Sequence, residues 1–338
     1  MKLLFFAHDP GGANAIAPLI SKFEKPYVFG KGPALNILPG AIELFTDNLR
    51  WLKPDFLISG TSANDFTERQ LWQEAKFRGI PSMAILDAWS NYGIRFSKYG
   101  TRNLHLFKGI CNYFPDYICV MDEFAKTEMI KDGVPADRIV TFGNPHFEII
   151  SLVSKQVDYT SEANGEINKE IIFLFASEPF EDVYHKGQEE LVLQGLLKAA
   201  RMYKKARVRI RNHPKEPSNK YMHFVGDRIE IDKNESAYDS IKQASIVVSA
   251  SSMVLLEAMI LGRKIVSFQP KAKNGKNDFI LTRNGTLPFL QNYKEFENYL
   301  SDVLNNHTIQ NFANIPYEGT IDRIVSFVKE VVHGKAGY

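Results

Sequence analysis

The chain has little of what marks several protein classes at sight. Only 2 cysteines, Cys111 and Cys119, occur in 338 residues. That is far below the density of a disulfide-stapled secreted fold, so buried free thiols are expected. No apolar run approaches the ~20 residues of a membrane-crossing helix. The opening MKLLFFAHDPGG holds a short apolar run without a small-residue cleavage site, which reads as a first buried strand rather than a secretion signal. Neither charge sign dominates: 41 Lys and Arg stand against 39 Asp and Glu, a net +2. That balance argues against a dedicated nucleic-acid binder. A Walker phosphate loop, a Gly-x-Ser-x-Gly elbow and a His-Glu-x-x-His helix are all missing, which removes the reactions those motifs serve. The 8 histidines are scattered, and no metal site is expected. Asp9-Pro10-Gly11-Gly12 has too few glycines, in the wrong spacing, for a dinucleotide fingerprint.

What is present is ordinary globular composition, 44% hydrophobic and 24% charged, with an aromatic content of 12% that includes 24 Phe and 14 Tyr. Such rings build a bulky core, line a site or rest on a membrane surface. The length suggests two domains. Strand and helix patterns alternate along both halves. Leu3 to Ala7, Tyr27 to Gly30, Asp55 to Ser59, Ser82 to Leu86, Tyr117 to Met121 and Ile139 to Phe142 read as strands. Helical spacing runs from Ala13 to Phe23, Ala41 to Trp51, Asp65 to Arg78 and Asp122 to Lys131. The second half repeats the style from Ile171 to Phe268, and Thr320 to Val332 reads as a last helix. Alternation with short connections predicts α/β architecture with doubly wound, mostly parallel sheets. Residues 151–169 are polar and aperiodic, and predict a linker between a domain over 1–150 and another over 170–338.

In such sheets ligands gather beyond the carboxyl ends of the strands. Three polar clusters of the first half fall there: His8 to Asn14, Gly60 to Glu68 and Asp87 to Arg95. His8, Asp9, Asp65, Glu68 and Asp87 are the candidate acid–base groups, with Asp87, Asp9 and His8 preferred. Asp9 sits in a turn where Asp often binds its own backbone, and Asp87 equally suits a helix cap or a partner for Arg95. Asp65 and Glu68 have capping-box spacing. Trp89 and Tyr92, with Phe96 and Tyr99, form an aromatic cluster just after Asp87 that suits an acceptor surface. In the second half, Ser177 and Glu178 follow a strand, and Arg211-Asn212-His213-Pro214 ends another. His213 and Arg211 are placed to meet a phosphate. In SASSMVLLEAMILGRKIVSF a strand ends in hydroxyls and a helix begins at once. Ser251 or Ser252 caps that helix, whose free N–H groups suit a phosphate, and Glu257 stands where it can meet a sugar hydroxyl. Capping alone explains the serines equally well. Lys271, Lys273 and Lys276 mark a basic loop, most simply a solvated one.

RNHPKE and SASSMVLLEAMILGRKIVSF together resemble the C-terminal domain of GT-B-type glycosyltransferases of bacterial surface-polysaccharide assembly. Gly143-Asn144-Pro145 resembles the end of their N-terminal domain, and Gly11-Gly12 is similar to their acceptor-side glycine loop. The E-x₇-E pattern of the retaining class is absent, because Ser249 stands seven residues ahead of Leu256 and eight ahead of Glu257. The resemblance implies two Rossmann-like domains facing each other, with the last helix crossing back to the first. It implies a metal-independent, cofactor-free transferase moving sugar from a nucleotide-sugar donor to a glycan or lipid-linked acceptor. His213, Arg211, Ser251, Ser252, Glu257, Ser177 and Glu178 would hold the donor, while Gly11, Gly12, Trp89 and Tyr92 would line the acceptor side. Such a protein is expected in the cytoplasm, with peripheral contact at the inner membrane face as an option. Nucleotide-sugar 2-epimerases share the fold and form the first alternative; a non-catalytic glycan-assembly binding protein is the second.

Overall fold

The structure, a computed structural model, describes residues 1–44, 52–97, 113–156, 170–179, 186–272, 277, 279–308, 310 and 317–334. The chain divides into two compact units, Met1–Ile149 with Pro316–Tyr338, and Ile150–Ile315.

In the first unit the strands are β1 (Leu3–Ala7), β2 (Tyr27–Gly30), β3 (Ile42–Glu43), β4 (Phe56–Ser59), β5 (Ser82–Ile85), β6 (Tyr117–Val120) and β7 (Ile139–Thr141). The helices are α1 (Pro10–Ile20), α2 (Thr67–Phe77), α3 (Tyr92–Phe96), α4 (Glu123–Lys131) and α5 (Pro145–Gln156). All strand pairs are parallel, in the order β3-β2-β1-β4-β5-β6-β7. The continuous apolar run LLFFA is buried at every position, as a strand covered on both faces must be. Chain direction across the sheet reverses between β1 and β4, and the ends of those two strands frame the switch point.

Helix α1 opens with Pro10, whose fixed φ and missing N–H suit a first helical turn. Gly12 then passes so close to the end of β4 that a Cβ on Gly60 would lie 2.8 Å from the Gly12 Cα. Two glycines in contact are what allow this helix to start directly against the neighbouring strand end. The helix predicted over 41–51 is corrected at its start: Ile42–Glu43 pairs with β2, after a turn at Gly40 with φ +67°. Residues 45–51 lie outside the described residues. Helix α5 runs on through Gln156, so the polar 151–169 segment begins helical, and 157–169 lie outside the described residues.

The final helix, Thr320–Val332, belongs to the first unit, where Ile321, Ile324 and Val328 join Leu3, Phe5 and Ile16 in one core. Glu148 of α5 caps it, its two carboxylate oxygens accepting the amides of Gly319 at 2.9 Å and Ile321 at 2.7 Å. A carboxylate there satisfies N–H groups the helix cannot pair itself and meets the positive helix end. Cys119 is a buried free thiol whose pKa burial pushes up to about 12; Cys111 lies outside the described residues.

The second unit holds β8 (Ile171–Ala176), β9 (Ala206–Arg211), β10 (Ile229–Ile231), β11 (Ile246–Ser249) and β12 (Lys264–Ser267), all parallel in the order β10-β9-β8-β11-β12. Its helices are α6 (Gln188–Ala200), α7 (Ala237–Gln243), α8 (Met253–Ile260), α9 (Ile280–Arg283) and α10 (Tyr293–Leu304); the last helix of the chain is α11 (Thr320–Val332). Here the reversal falls between β8 and β11. Helix α10 went unnoticed in the sequence, although Phe296, Leu300 and Val303 line its buried side and Asn292 caps it through the Glu295 amide. Both units are thus Rossmann-like doubly wound α/β folds. No helix among the described residues is long and apolar enough to cross a membrane.

Candidate active site

The first unit gathers the candidate acid–base residues at the carboxyl ends of β1, β4 and β5. Asp9 ends the β1 turn. Its Oδ1 lies 3.0 Å from His8 Nδ1, and its Oδ2 accepts the Ser62 hydroxyl at 3.0 Å. The expected local Asp turn is therefore replaced by a bond across to the β4 loop. Asp65 pairs with Lys31 at 2.6 Å, accepts the Thr67 amide at 2.8 Å and stands 3.8 Å from His8 Nε2. Burial works against its charge, but the Lys31 and Thr67 hydrogen bonds outweigh that and hold its carboxyl below the usual range.

Asp87 follows β5 and pairs with Arg95 at 2.7 Å. The same guanidinium nitrogen reaches the Thr61 carbonyl at 2.8 Å and its hydroxyl at 2.7 Å. Arg95 thus ties the β5 carboxylate to the β4 loop. Gly11 explains how α1 approaches this pair: a Cβ there would fall 1.9 Å from Asp87 Oδ2. The glycine loop and the candidate base touch, so Gly11 serves Asp87 directly.

Two buried residues brace this edge: Arg69, which the sequence does not single out, and Glu68, expected there as a capping or acid–base residue. Arg69 donates to the carbonyls of Arg95 (2.8 Å), Ser97 (3.2 Å), Ser62 (2.6 Å) and Ala63 (3.0 Å), welding the β4 and β5 loops together. Glu68, 1% exposed, accepts the His8 amide at 3.1 Å. The predicted capping box is not made: the N-cap is Phe66, and Glu68 turns to β1 instead. A Glu-Arg pair at a helix start reads as solvated surface, and only the fold reveals the buried carbonyls that consume Arg69.

Trp89 and Tyr92 are corrected from acceptor surface to core. Both are buried; Trp89 stacks on Phe147 at 6.0 Å and donates to Asp122 at 2.8 Å, while the Tyr92 hydroxyl donates to Glu128 at 2.8 Å. Phe96 packs on Trp72 at 5.6 Å, and Tyr99 lies outside the described residues. Asymmetric rings with one polar tip satisfy both demands of a core position.

In the second unit, β8, β9 and β11 bring Ser177, Glu178, His213, Ser251 and Ser252 to the carboxyl edge. Ser252 caps α8, accepting the Val254 amide at 3.3 Å. Ser251 is taken by Glu178, whose carboxylate accepts its amide at 3.0 Å and its hydroxyl at 2.8 Å. The protein's own carboxylate therefore sits on groups the sequence offered to a phosphate. Glu257 is a half-buried residue on the second turn of α8.

The His213 turn is held through both its backbone and its imidazole. Its amide donates to Glu216 at 2.9 Å, and its Nδ1 accepts the Lys215 amide at 3.1 Å. Glu216 in turn accepts from Ser177 at 2.9 Å and Lys220 at 2.8 Å, and Lys220 reaches Glu189 at 2.8 Å. Burial opposes the Lys220 charge, but the two carboxylates raise its pKa above the usual lysine value. Ser177 thus supports the turn. Arg211 is corrected as well: Asp232 at 2.8 Å, Ser240 at 3.0 Å and the carbonyls of Asn234 and Glu235 hold its guanidinium. An arginine at a strand end with an acid on the next strand builds the sheet edge. Lys271 bonds the Lys186 carbonyl, and Lys273 and Lys276 lie outside the described residues. Among the described residues, no group of His, Cys, Asp and Glu is arranged to hold a metal ion.

No family model and no curated protein matches the chain. Solved structures do. The S. aureus MnaA–UDP co-structure matches with a TM-score of 0.69 at 15% identity, covering 98% of this chain and 97% of that one. UDP-GlcNAc 2-epimerase from Neisseria meningitidis, bound to UDP-GlcNAc, gives 0.69 at 15% identity over 98% of this chain and 100% of that one. The Methanocaldococcus jannaschii UDP-GlcNAc 2-epimerase with UDP-GlcNAc and UDP gives 0.68 at 15% identity, over 97% and 99%. These likenesses establish the GT-B-like fold along essentially the whole chain. They also correct the transferase expectation, because the N. meningitidis and M. jannaschii proteins matched are UDP-GlcNAc 2-epimerases.

Proposed function

We propose that the chain binds a nucleotide-activated sugar and inverts it at C2, with the nucleotide on the second unit and the acid–base groups on the first. The observation that carries this reading is the set of carboxylates at the switch point of the first sheet. Asp9, Asp65 and Asp87 meet there from three strand ends, with His8 in contact with Asp9 and facing Asp65. Inversion at a carbon takes a proton from one face and returns one to the other. It therefore calls for at least two acid–base groups at one site. Asp87 is assigned as the base, with Asp9 and His8 as the second acid–base pair. The solved 2-epimerases with UDP and UDP-GlcNAc support UDP-GlcNAc as the first donor to test. His213, Ser252 and Glu257 are assigned to the nucleotide side. The test is incubation with UDP-GlcNAc alone in D₂O, followed by proton NMR. A 2-epimer with deuterium at C2 is expected. Binding with no exchange at C2 would remove the epimerase reading and leave the binding-protein one.

Glu178 makes a separate expectation. A phosphate at the start of α8 must displace this carboxylate from Ser251. Glu178→Gln removes the like charge and keeps the shape, so UDP affinity by calorimetry is expected to rise about tenfold, a modest share of a close charge–charge term. An unchanged or weaker affinity would put the phosphates elsewhere on the unit.

A further inference from the structure

Glu68 is a buried acid that the assignments above leave without a task. It is the second residue of α2, 1% exposed, and its Oε1 accepts the His8 amide at 3.1 Å. Its Oε2 is buried with no hydrogen-bond partner among the described residues. An ionised carboxylate with an orphan oxygen in such a place is costly, whereas the neutral acid is tolerable.

The surrounding charges point the same way. Asp9 follows His8 on the β1 turn, Asp65 lies just ahead of α2, and both push against a charge on Glu68. Lys31, from the end of β2, is committed to Asp65. Arg69, next on the same helix, is committed to four carbonyls, and Arg95 from α3 is committed to Asp87 and Thr61. His8 itself contacts Asp9 and faces Asp65 through its ring. None of the three neighbouring cations forms a bond to Glu68.

We propose that Glu68 is a positioning residue for this edge: carrying its proton, it locks the His8 amide and thereby the register of Asp9 at the start of α1. The proposal rests on the reading that this edge performs proton chemistry on a sugar. With the proton on, Asp9 and Asp65 keep their bonds to Ser62, His8 and Lys31. With the proton off, a third negative charge enters a space already holding two, and the turn carrying His8 and Asp9 is driven away from it. Burial is the main cause that lifts Glu68 to about 8, with the His8 amide bond opposing the rise. The transition therefore falls just above neutral pH.

Two measurements test this. In wild-type protein, kcat with UDP-GlcNAc is expected to fall about tenfold per pH unit above about 8. Glu68→Gln, which keeps the neutral shape, is expected to retain most of the neutral-pH turnover and to lose that limb. The second measurement needs no turnover. With ¹⁵N-histidine labelling of the 8 histidines, the His8 amide, identified through His8→Gln, is expected to titrate with a midpoint near 8 in wild type and to stand still in Glu68→Gln. An identical alkaline limb in both proteins overturns the proposal, as does a His8 amide that does not move. So does a well-folded Glu68→Gln that is inactive at every pH. A wild type that titrates but turns over no donor removes the function reading alone, while the amide still locates the proton on Glu68.

Discussion

Asp87→Asn is expected to cut turnover about a thousandfold while the protein melts within a degree or two of wild type. The size follows from the usual worth of a positioned general base, roughly 10²–10⁴-fold. The selectivity follows from the contacts. Asparagine keeps an oxygen for Arg95, which meets Oδ1 at 2.7 Å, and Arg95 keeps its two bonds to Thr61, so the tie between the β5 and β4 loops survives while the proton affinity and the charge of the pair are lost. Gly11→Ala provides an independent route to the same outcome. It removes no titratable group, yet its Cβ would lie 1.9 Å from Asp87 Oδ2. That contact is with the end of a side chain, so the carboxylate swings aside instead of the backbone. Both variants are expected to keep UDP affinity, since the nucleotide is assigned to the other unit. Turnover above a tenth of wild type in Asp87→Asn would move the base to Asp9 or His8.

The sequence disclosed the fold because strands such as LLFFA and IVVS are buried on both faces and read as unbroken apolar runs. It placed His8, Asp9 and Asp87 at the carboxyl ends of strands because each stands just after such a run. It hid the wiring. Arg69 looks like half of a surface ion pair until β4 and β5 lie side by side and offer it four carbonyls. Glu68 reaches an amide 60 positions away in the chain. Arg211 looked like a phosphate ligand because its acid, Asp232, sits across a strand pair that only the sheet register creates. The Trp89–Tyr92 cluster misled for the opposite reason: its proximity to Asp87 in sequence is real, but the rings turn inward while the carboxylate turns to Arg95. The reaction class was the least legible of all. The His-Pro turn and the serine-rich helix start resemble those of GT-B-type glycosyltransferases, and that resemblance does not separate moving a sugar from inverting one.

Glu68→Gln is expected to stabilise the protein at neutral pH by about 3 kcal/mol and to leave it unchanged near pH 4. In the folded chain Glu68 loses its proton at about 8, against 4.5 for the free side chain. Its folded pKa is therefore raised, and it is an acid. Between those two values the unfolded chain is ionised while the folded chain still holds the proton. The unfolded state then binds fewer protons, and stability falls as pH rises, by about 1.4 kcal/mol per unit. The loss begins above the unfolded value and is complete only beyond about 8. Glutamine is neutral in both states and escapes it. Its amide nitrogen stands where the orphan oxygen was and carries two donors against the single O–H of the protonated acid, so the hydrogen-bond inventory changes by one donor. The screening discount that applies to surface charges does not apply to a group 1% exposed. Urea titrations of both proteins from pH 4 to 9 check the expectation through the difference between them, in which every other titrating group cancels to first order. Curves that stay parallel across the range would mean that Glu68 is ionised in the folded chain. The proton assigned to it beside His8 would then be absent, and with it the difference in proton affinity between Asp65 and Glu68.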